Sequence, residues 1–169
     1  MSWKAKFSRI LNPYLRYSVL ALLLFDRSVT LFSPYIYSIA AIVLICLTVF
    51  IQNLVAAIAH RKQSQYVPGK VSEDLSHDSF VFRSHRTFHN SLENIHQFTL
   101  PAILSMFIGV SPLFLAILCW VYAVSRLVHM WLYYGIATEK NPSPRSYFFM
   151  LGVLVNIVLF GLILSELLF

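Results

Sequence analysis

The stretch RTFHNSLENIHQF, residues 86–98, decides how this chain is read. It holds Arg86, His89, Asn90, Glu93, Asn94, His96 and Gln97, then runs straight into the uncharged TLPAILSMFIGV, residues 99–110. At about 100° per residue with Arg83 at zero, Arg86, Asn90, Glu93 and Gln97 fall with it inside an arc of roughly 80°. Phe88, Leu92, Ile95 and Phe98 take the opposite side, and His85, His89 and His96 follow one flank of the polar stripe. The pattern is that of a helix with a narrow polar face, carried into an apolar segment.

The rest of the chain explains the setting. Its 169 residues are 58% hydrophobic and 12% charged, with a mean hydropathy of +0.69. Soluble domains carry about twice that charged fraction. Crossing a hydrocarbon layer takes about 20 apolar residues, and four segments qualify, near residues 35–59, 86–110, 112–135 and 147–168. The expected fold is therefore an all-α integral membrane protein built as a four-transmembrane-helix bundle. GVSP at 109–112 predicts a tight turn and antiparallel neighbours. TEKNPSPRS at 138–146 breaks the helices at Pro142 and Pro144, and the long polar segment near residues 60–83 joins the first two spans.

Charge placement gives topology. Arg61, Lys62, Lys70, Arg83 and Arg86 cluster around the first loop, and Lys140 and Arg145 around the third, so both are expected at the cytoplasmic face. The net charge of +6 is read as that asymmetry, not as nucleic-acid binding, since no basic patch with interleaved aromatics lies in a soluble segment. Residues 1–33 carry Lys4, Lys6, Arg9, Arg16 and Arg27 beside a short apolar run, which reads as an interfacial amphipathic segment or a short fifth span, the former preferred. Asp26 and Arg27 follow that run with no small-residue cleavage site, so no cleaved signal peptide is expected. Residues 34–169 form the membrane domain. Cys46 and Cys119 both fall in apolar segments and read as small buried residues rather than a disulfide.

The third span repeats the polar pattern. Tyr122, Arg126, His129 and Tyr133 fall within about 60° of one another. An unpaired charge at membrane depth costs from about 3 kcal/mol to far more. The two stripes must therefore face each other, a neighbouring subunit, or a wet cavity. A structural ion pair between Glu93 and Arg126 is one reading. It leaves several donors over, and surplus guanidinium groups suit a ligand with more than one carboxylate.

At these residues the chain resembles the membrane-associated proteins in eicosanoid and glutathione metabolism, the MAPEG family. The likeness rests on RTFHNSLENIHQF, which fits an R-x-x-x-N-x-x-E pattern on the second helix, on RLVHMWLYYG in the third, and on PSPRSY before the fourth. It covers roughly residues 34–169. The resemblance implies a homotrimer binding glutathione as cosubstrate between subunits near the cytoplasmic side. It implies that Arg86, Asn90, Glu93, Arg126, His129, Tyr133 and Ser146 hold the tripeptide, and that Arg145 stabilises its thiolate. His89 stands where some members have another arginine, and Phe149 where some have a tyrosine.

The expected function is a glutathione transferase or peroxidase, its thiolate attacking a lipophilic electrophile or lipid hydroperoxide delivered from membrane lipid. A non-catalytic lipid-binding or accessory protein of the same family is the alternative. A metal centre is not assigned: His85 and His89 have helical spacing, but the six histidines include no adjacent pair. A transporter would equally bury charges, yet no inverted repeat or broken helix is visible. The membrane is expected to be a bacterial inner membrane or endoplasmic reticulum, with the site toward the cytoplasm.

Overall fold

The structure, a computed structural model, describes Ser18 and residues 31–169. The chain divides into two compact units, Met1–Ile36 and Tyr37–Phe169. The expectation for the N-terminal interfacial segment falls almost wholly outside the described residues.

Four long helices make up the described chain. A short 3-10 turn, Ser33–Tyr35, precedes α1 (Ile36–Arg61), and α2 (Phe80–Ile108), α3 (Pro112–Gly135) and α4 (Pro144–Leu168) follow. Among the described residues there is no strand, only one isolated bridge between Val67 and Lys70. The first helix with its leading turn, α3 and α4 are each long and apolar enough to cross a membrane. The 29 residues of α2 span about 43 Å at 1.5 Å per residue. Its polar first half keeps it below the same hydropathy.

Helix boundaries follow from capping chemistry. Gly109 ends α2 in the left-handed conformation, φ 85°, and the Val110 N–H returns to the Ser105 carbonyl at 3.0 Å. This is the glycine-ended helix stop. Ser111 and Pro112 then start α3 at once, because proline costs nothing where the first-turn N–H has no helical partner. The second helix begins at Phe80, about two turns before the expected start, so Arg83 lies inside it. The fourth begins at Pro144, which puts Arg145 and Ser146 in its first turn.

The face that α2 buries is a line of small residues: Ser84, Thr87, Ser91, Thr99, Ala102 and Ser105. Several of their hydroxyls are satisfied within the helix, Thr87 donating to the Arg83 carbonyl at 2.7 Å and Ser105 to Pro101 at 2.9 Å. Small, self-satisfied side chains let helices approach closely where no water competes. Phe98 lies flat on Tyr122 of α3, ring centroids 3.8 Å apart and planes 6° from parallel. Gly152 of α4 also packs close to this ring, where a Cβ would stand 3.5 Å from Tyr122 Cε2. Leu115, Ala123, Val155 and Leu159 complete this core.

Outside the core the helices are oily. Val43, Leu47, Phe50, Leu54 and Ile58 form an exposed line along α1, and only 22% of the most apolar window of α4 is buried within the subunit. That surface needs lipid or another protein chain. Cys119 is buried, but Cys46 corrects expectation: it is exposed on α1, where the buried face is taken by Ser38, Ala41, Ile45, Thr48 and Gln52. Both cysteines are free.

Candidate functional site

Arg126 sits well inside α3 and is 6% exposed. Its Nη2 donates to Asn90 Oδ1 at 2.7 Å and to Ser91 Oγ at 3.1 Å. The ion pair with Glu93 is not formed, and Glu93 is exposed. Helical geometry explains this: Asn90 and Ser91 straddle the side of α2 that meets α3, whereas Glu93 is rotated about 60° past Asn90. An amide and a hydroxyl therefore hold the guanidinium and leave its charge unneutralised. From α1, Thr48 and Gln52 flank the same spot. Gln52 is 1% exposed and its Oε1 has no partner among the described residues. The sequence reading passed over this residue. An amide in the middle of an apolar span was the signal.

One turn along α3, His129 is 3% exposed, and its Nδ1 has no partner among the described residues. Its ring lies 5.6 Å from that of Tyr133 and 6.4 Å from that of Phe149. Arg126 and Arg145 both lie near enough to bear on it electrostatically. Arg145 reaches back from α4, its Cζ 4.1 Å from the centroid of Tyr133. Its Nη2 donates to the Thr138 carbonyl at 3.0 Å, while the buried Nη1 has no partner among the described residues. Arg126, His129, Tyr133 and Arg145 thus form one polar column.

The mouth of this column is closed by two loops. His77, on the first loop, places Nδ1 2.8 Å from Glu139 Oε1 and Nε2 3.0 Å from the Tyr133 hydroxyl. The His77 backbone N–H also donates to Glu139, at 3.1 Å. These bonds hold the Glu139 carboxyl below its ordinary range, the side-chain bond from His77 being the largest cause. Arg83 anchors the arrangement by donating to the carbonyls of His77, Asp78 and Tyr134. Arg83 is thus occupied in tying backbone carbonyls. The contact puts the first and third loops at the same end of the bundle, as the basic residues implied. Neither His77 nor Glu139 stood out in the sequence, because their 62-residue separation is closed only by the fold.

The other predicted residues stand apart from this column. Arg86 is exposed on α2 and, like Glu93, makes no side-chain hydrogen bond or ion pair among the described residues. Ser146 is engaged in capping: its Oγ accepts from the Ser143 N–H at 3.2 Å and lies 3.2 Å from Ser143 Oγ. A separate cavity of about 540 Å³ opens between the end of α1 and the start of α2, with His60, Arg61, His85 and His89 in its wall. None of the predicted site residues lines it.

The family model described as MAPEG family matches residues 37–165. No curated protein matches the chain.

Proposed function

This chain belongs to the MAPEG family, and from that membership we propose that it is a membrane enzyme that binds glutathione and activates its thiol. The observation that carries the reading is the guanidinium of Arg145, whose buried Nη1 is without a partner among the described residues at one end of the polar column. Burial of an unpaired guanidinium N–H is costly unless a ligand atom completes it. A sulfur anion is a fitting acceptor, since glutathione has two carboxylates, one ammonium and one thiol.

In this reading Arg126, held by Asn90 and Ser91, offers a carboxylate an unneutralised positive charge, and His129 and Tyr133 line the path between it and Arg145. Arg86 and Glu93, exposed on one subunit, close the site when a second copy of the chain packs against α2, with a homotrimer as the proposed assembly. Glu93 then meets the ammonium group of the peptide. Ser146 contributes by fixing the first turn of α4 and so the direction of Arg145. The free thiol has a pKa near 8.5, and lowering it by about two units takes roughly 2.7 kcal/mol of preference for the thiolate. One guanidinium in a partly desolvated site supplies that amount. The thiolate sulfur then bonds to an electrophilic carbon and displaces its leaving group, or attacks the terminal peroxide oxygen of a lipid hydroperoxide, breaking the O–O bond. In the second case the alkoxide takes a proton from water to leave as the alcohol, and a second glutathione converts the sulfenic acid to the disulfide and water. The exposed apolar faces favour a second substrate drawn from lipid. The basic loops favour a site on the cytoplasmic side of the membrane, with a bacterial inner membrane or the endoplasmic reticulum as the proposed location.

Purified protein titrated with glutathione tests the proposal. Calorimetric binding, thiolate absorbance and conjugation of a chlorinated nitrobenzene are expected together. Arg145→Ala should diminish thiolate formation far more than binding; equal loss of both would remove Arg145 from its role. Binding without turnover would identify a lipid-binding accessory protein instead.

A further inference from the structure

Resting on that reading, we propose that Tyr133, His77 and Glu139 form a proton exit that carries the glutathione thiol proton out of the site. The direction of each hydrogen bond follows from the chemistry of its ends. A carboxylate only accepts, so His77 Nδ1 carries the proton shared with Glu139 Oε1 at 2.8 Å. In the neutral ring this leaves Nε2 as an acceptor, and the Tyr133 hydroxyl, 3.0 Å away, donates to it. The Tyr133 oxygen then keeps lone pairs free for an S–H donor arriving beside Arg145, whose guanidinium lies against the same ring at 4.1 Å. The chain ends at Glu139, whose side chain is 68% exposed, so its far end reaches water.

The transfer balances. The thiol S–H bond breaks and its proton passes to the Tyr133 oxygen, while the Tyr133 proton passes to His77 Nε2. The products are a thiolate beside Arg145 and an imidazolium beside Glu139. The imidazolium then gives its Nδ1 proton to water at the Glu139 end, which leaves the ring protonated on Nε2, and proton exchange with solvent returns it to the starting Nδ1–H tautomer. The charged groups around the ring are Glu139, Arg83, which binds the His77 carbonyl, and Arg145, which bears on Glu139. The ring of Phe82, its centroid 5.0 Å from that of His77 and its plane 75° away, completes the surroundings. A transiently charged histidine suits a relay that must reset after each turnover. His77 acts through Tyr133 and is a positioning and relay residue in this scheme.

His77→Gln keeps a hydrogen-bonding side chain but cannot take the proton. The expected result is glutathione affinity within about threefold of the parent. Thiolate formation, followed by stopped-flow absorbance with a pH-indicator dye, should be slower by on the order of 10²-fold, the scale of general acid–base help. Its histidine-dependent pH limb should vanish, and added imidazole should restore part of the rate. Glu139→Gln, which retains the ring, should show a smaller loss and keep the pH limb, and provides the test should His77→Gln fail to fold. Thiolate formation at the parent rate with an unchanged pH profile in either variant would overturn the exit while leaving glutathione activation intact. Failure of the parent protein to bind glutathione would overturn both.

Discussion

Removing the side chain of Asn90 should weaken the fold mainly through Arg126, and the size of the effect follows from the geometry. The buried guanidinium has two side-chain partners among the described residues, Asn90 Oδ1 at 2.7 Å and Ser91 Oγ at 3.1 Å. Hydrogen bonds to charged groups contribute about 1.5–3 kcal/mol in proteins, whereas neutral bonds between membrane helices average about 0.6 kcal/mol. Asn90→Ala should therefore cost about 1.5–2 kcal/mol. Arg126→Met should cost much less, because removing the charge also removes its desolvation penalty. In that background the Asn90 change should cost only about 0.5 kcal/mol, leaving a coupling near 1–1.5 kcal/mol. The Asn94 side chain bonds the backbone carbonyl of Asn90, so that contact survives both changes. The assay is unfolding in mixed micelles by anionic detergent, run on the parent, both single variants and the double variant. A coupling within the additive scatter of about 0.3–0.5 kcal/mol would refute the argument.

Two further outcomes are expected. A Cβ on Gly152 would meet Tyr122 Cε2 at 3.5 Å and Ser125 Oγ at 3.7 Å, ordinary contact distances. Gly152→Ala should then be neutral to slightly stabilising and Gly152→Leu destabilising by about 1–3 kcal/mol through overpacking, measured by thermal unfolding in detergent. For the loop clasp, the Glu139 carboxyl lies below its ordinary 4.5 in the folded chain, so its contribution is complete above that value. It is lost as pH falls through the lowered folded-state value. Protection of the His77 amide against hydrogen exchange, corrected for intrinsic rates, should fall at acid pH in the parent and be independent of pH in Glu139→Gln, whose amide oxygen still accepts but does not titrate; parent protection that does not change with pH would contradict the clasp.

Much of the architecture was legible in the residues because it rests on local rules. Apolar length makes the spans, Gly109 and Pro112 punctuate a hairpin, and Pro144 starts a helix that Ser143 and Ser146 cap. The stripe on α3 was also readable, since Tyr122, Arg126 and His129 are all buried on one side of it. On α2 charge marks the most conspicuous residues, while packing selected Ser84 and Thr87, whose hydroxyls bond within the helix, and Ser91, which accepts from Arg126. Arg86 and Glu93 were left on the surface as a result. Chain chemistry by itself thus determined a membrane helix bundle and the polar side chains available to a site. Only the tertiary structure decided which of those side chains meet, giving Arg126 an amide in place of a carboxylate and bringing His77 to Glu139 and Tyr133. Helical periodicity reports the face a residue takes on its own helix, whereas partnership depends on rotation and depth between helices and on loops that close long separations.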